Sequence, residues 1–214
     1  MTTAAPGRDC PLCPRLVAYR ETARRANPDW HNAPVATFGP ADARLLIVGL
    51  APGMRGANRT GRPFTGDFAG DLLYETLKAH GFATGAYARH ADDGLELVDC
   101  RITNAVRCVP PGNKPIGAEA AACRPFLTAE IAALGRLEII LALGTVAHGG
   151  VLRAMGFTAA SQRFRHGALH TLPNGLVLAD SYHCSRYNTN TGRLTPAMFN
   201  EVFAAIRGRL DTPV

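Results

Sequence analysis

The chain has 214 residues, 47% hydrophobic and 19% charged, which allows a sizeable core and excludes global disorder. With 23 Lys and Arg against 17 Asp and Glu, its net charge is +6, a balance compatible with a polyanionic partner. The longest apolar run, Ile139–Leu143, is far too short for a bilayer, and residues 1–9 hold no apolar signal segment.

These values predict one domain over residues 1–214, with no membrane contact and a cytoplasmic location. In chain order, residues 16–26 carry apolar and arginine side chains without a breaker and predict a helix after the turn Cys10-Pro-Leu-Cys13-Pro. Residues 44–49 predict a short buried strand closed by Gly49. A loop rich in Gly, Arg, Asn and Thr follows over 54–67. Leu72, Leu73 and Leu77 predict a helix over 68–80. A second strand, 98–106, runs into Cys108-Val-Pro-Pro-Gly, a firm stop. Residues 116–134 predict a long helix with Cys123 near its middle, and 138–143 a third buried strand. Gly144-Thr145 opens a helix reaching Met155. The turn Pro173-Asn174-Gly175 predicts a hairpin between 168–172 and 176–179, and residues 196–210 an amphipathic closing helix.

Strands alternating with helices predict an α/β fold with a largely parallel sheet. Ligands of such sheets sit in the loops at the carboxyl ends of the strands. Three polar loops fall there: 51–67, 103–114 and 180–195.

The first of these loops has the wrong glycine spacing for GxGxxG and lacks the GK[ST] of a phosphate-binding loop. Its five glycines from Gly49 to Gly66 still permit close backbone approach to a ligand, and its three arginines suit phosphate. Phe64 is a candidate stacking platform for a base, although Phe is commonly a core residue. The third loop offers His183, several hydroxyls and amides, and two arginines. Only Lys78 and Lys114 are lysines, leaving 21 arginines, which reflects either a GC-rich genome or a phosphate-facing surface.

Cysteines are the most specific feature. Cys10 and Cys13 form a CxxC pair, fourteen residues separate Cys108 from Cys123, and Cys100 and Cys184 stand apart. Four thiolates hold zinc or an iron–sulfur cluster. Zinc sites usually pair two close CxxC knuckles, so the open second pair favours a cluster.

Three segments carry a family resemblance: GLAPGMRGANRTGRPFTGD from Gly49, ITNAVRCVPP from Ile102, and HCSRYNTNTGRLT from His183. They resemble the motifs of the family 5 (B-type) uracil-DNA glycosylases, over nearly the whole chain. The related family 4 enzymes, which carry a four-iron, four-sulfur cluster, have Glu where Leu50 stands here.

The resemblance implies a three-layer α/β/α sandwich around a four-stranded, mainly parallel sheet, and excision of uracil, and of other deaminated bases such as hypoxanthine, from DNA. It maps a structural [4Fe-4S] cluster onto Cys10, Cys13, Cys108 and Cys123. Phe64 would stack on the flipped base, Asn104 read its amide edge and His183 meet the pyrimidine O2. Gly49 and Ala51 would line the substrate, and Asp67 would handle the water. Arg59, Arg62, Arg186 and Arg193 would contact DNA phosphates. A monomer is expected. Two positions depart from the family's HPSRQNT: Cys184 replaces Pro and Tyr187 replaces Gln. A Pro would stiffen that turn. Two other classes fit parts of the pattern: a non-catalytic DNA-binding protein with a structural metal, and a nucleotide-binding enzyme. The missing phosphate-binding lysine weakens the second.

Overall fold

The computed structural model describes residues 5–212. Its elements in chain order begin with α1 (Pro14–Ala26), β1 (Leu45–Gly49), α2 (Ala57–Thr60) and α3 (Phe68–Ala79). A two-stranded hairpin, β2 (Ala83–Thr84) and β3 (Glu96–Leu97), leads into β4 (Cys100–Asn104). There follow α4 (Gly117–Ala133), β5 (Ile139–Leu143), α5 (Thr145–Ala154), β6 (Leu169–Thr171), β7 (Val177–Ser181), α6 (Arg186–Asn190) and α7 (Pro196–Asp211).

The main sheet has five strands in the order β4-β1-β5-β7-β6. Four are parallel, as expected, and β6 adds an antiparallel edge through the predicted hairpin, so the sheet count is five rather than four. Every residue of β1, β5 and β7 is buried. Strands covered on both faces read as continuous apolar runs, which explains Leu-Leu-Ile-Val and Ile-Ile-Leu-Ala-Leu. Alternation along each strand then divides the core. Leu45 and Ile47 pack with Leu73 and Leu77 of α3 and Phe199, Phe203 and Ile206 of α7. Leu46 and Val48 pack with Leu127 of α4 and Val151 and Leu152 of α5. Each such buried side chain contributes about 1.5–3 kcal/mol of transfer free energy. The result is the three-layer sandwich.

Helix starts follow local chemistry. Asp67 accepts the Gly70 N–H at the head of α3, and Thr195 accepts the Met198 N–H at the head of α7, with Pro196 next. Two short helices interrupt loops expected to be irregular. The first is α2, closed by Gly61 in the left-handed region (φ 81°); the second is α6, capped by Ser185 onto Asn188. The strands β2 and β3 are two residues each, too short to leave a pattern in the sequence.

Parallel strands send the ends of β1, β4, β5 and β7 to one edge, so Gly49, Asn104, Leu143 and Ser181 lie together. The crossover after β1 places α3 on one face and that after β4 places α4 on the other. A crevice opens at such a switch point. No helix among the described residues is long and apolar enough to cross a membrane.

The edge is anchored by a buried ionic cluster on β7. Asp180 faces His148 Nδ1 at 2.7 Å and His170 Nε2 at 3.0 Å, and accepts the Arg165 N–H at 3.1 Å. His148 Nε2 lies 2.9 Å from the Gln162 carbonyl. A carbonyl and a carboxylate only accept, so both ring nitrogens of His148 carry protons. Burial opposes that charge, but the Asp180 carboxylate and the Gln162 carbonyl outweigh it and raise the His148 pKa. A raised histidine pKa stabilises the fold below the unfolded value of about 6.5, and that contribution is lost as pH climbs through the folded value. Thermal unfolding followed from pH 6 upward should show the midpoint of the native chain falling through this interval. His148→Gln should flatten that dependence and cost about 3 kcal/mol at pH 6, because His170 and the Arg165 N–H still serve Asp180.

Candidate active site

Three loops from the carboxyl edge of the sheet surround one cavity of about 310 Å³. Its lining includes Leu50, Ala51, Gly53, Phe64, Asp67, Asn104, Asn113, His183, Ser185 and Arg186. That volume suits a small ligand such as a nucleobase.

Asn104 ends β4 directly opposite Gly49, the last residue of β1. It is buried, and its amide has no hydrogen-bond partner among the described residues. Asn104 lines the cavity, so its amide is free to pair with a ligand there. Gly49 stands behind the cavity wall: a Cβ there would collide with the Asn104 amide oxygen and lie 2.6 Å from Phe64 Cζ. The substrate-lining role expected of Gly49 is thus one of making room for its two neighbours. Ala51 lines the cavity itself.

Phe64 adopts φ 52°, a left-handed conformation rare outside glycine. Its ring faces His183 with centroids 5.7 Å apart and planes 30° apart. His183 follows β7 on a turn secured by Asn188 Nδ2, which donates to the His183 carbonyl at 2.8 Å. Burial lowers the His183 pKa to about 4, so the imidazole is neutral at physiological pH and offers one N–H.

Asp67 sits across the cavity at the N-terminus of α3. Burial raises its pKa, opposed by the N–H groups of Gly70 and Ala69. The loop backbone closes over this carboxylate: a Cβ on Gly56 would lie 2.8 Å from Asp67 Cγ. The glycine-rich loop thus wraps a carboxylate, where its sequence suggested phosphate.

Of the four expected DNA-facing arginines, Arg59, Arg186 and Arg193 are exposed. Arg186 lies over the Phe68 ring at the cavity rim, and Arg193 over Tyr182. Arg62 requires a correction. Only 5% exposed, it gives both terminal nitrogens to Asp93 at 2.8 Å, Nε to Thr65, and lies over Phe38, Tyr74 and Tyr87. It is an internal clamp with no side chain to offer a phosphate. Its partner Asp93 lies 31 residues away, so the charge alone could not reveal this fate.

Cys10, Cys13, Cys108 and Cys123 converge on a second pocket with Leu16, Val106 and Phe126, while Cys100 and Cys184 are buried elsewhere. Burial pushes the Cys108 thiol up to about 12 and raises those of Cys13 and Cys123. Thiolates there require a positive partner. The Arg107 N–H already donates to Cys123 Sγ at 3.3 Å, and Arg20 Nη1 lies 3.9 Å from Cys108 Sγ. Arg20 Nη1 and Nη2 also donate to the Cys10 carbonyl at 3.2 Å, which sets the guanidinium beside the cysteines. The donor set fits a thiolate-held metal centre. Arg15 braces it by a bidentate pair with Glu119 at 2.7 Å, tying α1 to α4.

Asn113, Ser185 and Leu50 were not singled out from sequence as cavity-lining residues. Leu50 directly follows β1 within the first motif and Ser185 lies within the third, whereas Asn113 lies past the second motif, in the polar loop 103–114.

Residues 36–207 match the model of the uracil DNA glycosylase superfamily. The type-5 uracil-DNA glycosylase of Thermus thermophilus is 46% identical, over 90% of this chain and 90% of the relative. That of Mycobacterium leprae is 46% identical over 91% of this chain and 88% of the relative. That of Pyrobaculum aerophilum is 41% identical over 91% and 86% respectively. A match of this extent, to both the family model and full-length relatives, places the chain in the uracil DNA glycosylase superfamily and, within it, among the type-5 uracil-DNA glycosylases.

Proposed function

We propose that the chain excises uracil from DNA by hydrolysing its N-glycosidic bond, leaving an abasic site. The observation that carries this reading is the convergence of Phe64, Asn104, His183 and Asp67 on one base-sized cavity from separate elements. A base inside a duplex is out of reach, so it must be extruded at a cost of a few kcal/mol. Stacking on Phe64 and hydrogen bonds to the Asn104 amide offset that cost.

Bond cleavage builds negative charge on the departing uracil and positive charge on the sugar. His183, neutral and already desolvated, donates its N–H to the uracil O2 as the anion forms. A neutral donor needs no proton-loss step at pH 7. Asp67 positions the attacking water and stabilises the sugar cation as a carboxylate. Leu50 offers no group for that task. The volume of about 310 Å³ and the small residues Ala51 and Gly53 in the lining support other deaminated bases, hypoxanthine among them, as further substrates.

The cysteine pocket belongs to the same reading, as a structural [4Fe-4S] cluster. A single tetrahedral zinc, with bonds of about 2.3 Å, draws its sulfurs to roughly 3.8 Å apart. The cysteine spacing, a CxxC pair with an open second pair at Cys108 and Cys123, supports a cluster over such a site. The cluster would supply a rigid cross-link between α1, the segment after β4 and α4. Hydrolysis requires no electron from it.

Release of uracil from a labelled oligonucleotide separates this reading from a DNA-binding protein without activity. Asp67→Ala should lower the single-turnover rate by roughly 10²–10⁴-fold while preserving DNA affinity. The wild-type rate should fall as pH drops through the raised Asp67 pKa and show no histidine step near pH 6.5. Near-full rate in Asp67→Ala would defeat the assignment of that carboxylate. Salt dependence of binding tests the rim. Three arginines on ~3 phosphates give a slope of log K against log salt of about −2.7, and Arg186→Ala should flatten it by about 1. Iron and zinc quantification tests the cysteines. Purified protein should be brown and contain iron, Cys123→Ser should lose the colour and Cys100→Ser should keep it. Stoichiometric zinc in iron-replete, anaerobically prepared protein contradicts the cluster.

A further inference from the structure

The turn that carries Phe64 in its left-handed conformation is held by a set of side-chain hydrogen bonds. The Tyr74 hydroxyl donates to the Pro63 carbonyl at 2.6 Å. The Tyr87 hydroxyl donates to the Phe64 carbonyl at 3.3 Å and accepts the Gly66 N–H at 3.4 Å. Arg62 Nε donates to Thr65 Oγ1 at 2.8 Å, closing the turn across Phe64. The other end of that guanidinium is locked by Asp93, whose side chain is 1% exposed and which also accepts the N–H groups of Ala88 and Leu95. Asp93 and Tyr87 both come from the 85–95 excursion between β2 and β3, outside all three loops at the sheet edge.

We propose that Asp93 and Tyr87 are positioning residues for the base-stacking platform. Through Arg62 and the backbone of 63–66 they hold Phe64 at the one angle that lets a flipped base meet Asn104 and His183 together. The inference rests on the reading that Phe64 stacks on the extruded base. A strained residue persists only when its surroundings over-determine it. Here the over-determination is a bidentate, desolvated ion pair between aromatic faces and two tyrosine hydroxyls, all aimed at one five-residue turn. The burden falls on small pyrimidines. Uracil covers little of the Phe64 ring and depends on edge alignment, whereas a purine overlaps more and tolerates a tilted platform.

The test uses the full chain with its metal content intact. Tyr87→Phe removes only the hydroxyl contacts, Asp93→Asn the charge, and Asp93→Glu restores a carboxylate. The saturating single-turnover rate on uracil should fall roughly tenfold in Tyr87→Phe and by roughly 10–10²-fold in Asp93→Asn, the scale of sub-ångström misplacement. Asp93→Glu should recover part of the loss. Half-saturating enzyme concentration and the salt slope should stay at wild-type values, since Arg62 meets no phosphate; a merely structural defect would not spare binding so selectively. Folded Tyr87→Phe with the wild-type rate overturns the proposal even if Asp93→Asn does not fold. A salt slope flattened in Asp93→Asn also overturns it, returning Arg62 to the DNA. Phe64→Ala with undiminished uracil release instead overturns the stacking role on which the proposal rests.

Discussion

The close approach of β1 and β4 at Gly49 and Asn104 is the constraint on which the site depends. Parallel pairing places these residues opposite each other at the exit from the sheet, with the Phe64 ring lying against the same spot. A methyl group on Gly49 would displace the Asn104 amide or the Phe64 ring. The absence of one side chain thus lets a hydrogen-bonding amide and an aromatic face share a floor. The sheet supplies the rigidity that loops alone would not: β1 is flanked on both sides and buried throughout. Positioning at this level is what converts binding energy into rate.

Around that floor the protein places several buried ionic groups, each beside a segment that carries site residues. Arg62 and Asp93 hold the turn of Phe64. His148, Asp180 and His170 hold the strand that leads to His183. Arg107, whose own N–H reaches Cys123, is joined with Arg101 on Glu130, from the strand bearing Asn104 to α4. Removing such charges from water costs nearly as much as their attraction returns, so their net contribution to stability is small. Their effect is geometric: a paired and fully hydrogen-bonded ion tolerates little displacement. The fold therefore uses apolar burial for its stability and buried ions for the placement of its loops.

Burial pushes the two titratable groups of the cavity toward their neutral forms, lowering the pKa of His183 and raising that of Asp67. His183 is driven to its neutral form, in which one ring nitrogen keeps a proton to donate. Asp67 is raised by burial yet retains two N–H donors from the start of α3, which favour the carboxylate. The exposed Arg186 lies outside this pair, at the rim of the cavity over the Phe68 ring.

Much of this was legible in the chain itself. Continuous apolar runs and Gly or Pro stops gave β1, β4 and β5, and the Pro-Asn-Gly turn gave the β6–β7 hairpin, because buried strands and tight turns are local chemistry. The three motif segments contain most of the residues that line the cavity, though not Phe68, Ala69 or Asn113, and the cysteine spacing identified the four that converge. Long-range pairing was not legible. Arg62 sits in the same motif as Arg59 and looks alike in sequence. Only the fold brings Asp93 to one of them and leaves the other in solvent, since the free energy of a guanidinium depends on what surrounds it. The two-residue strands β2 and β3 and the short helix α6 carry too few residues for any periodicity. Residue type and spacing thus determined the layers and the chemistry on offer. Tertiary packing decided which charges are buried, which conformations are strained, and hence which residues hold the site rather than act in it.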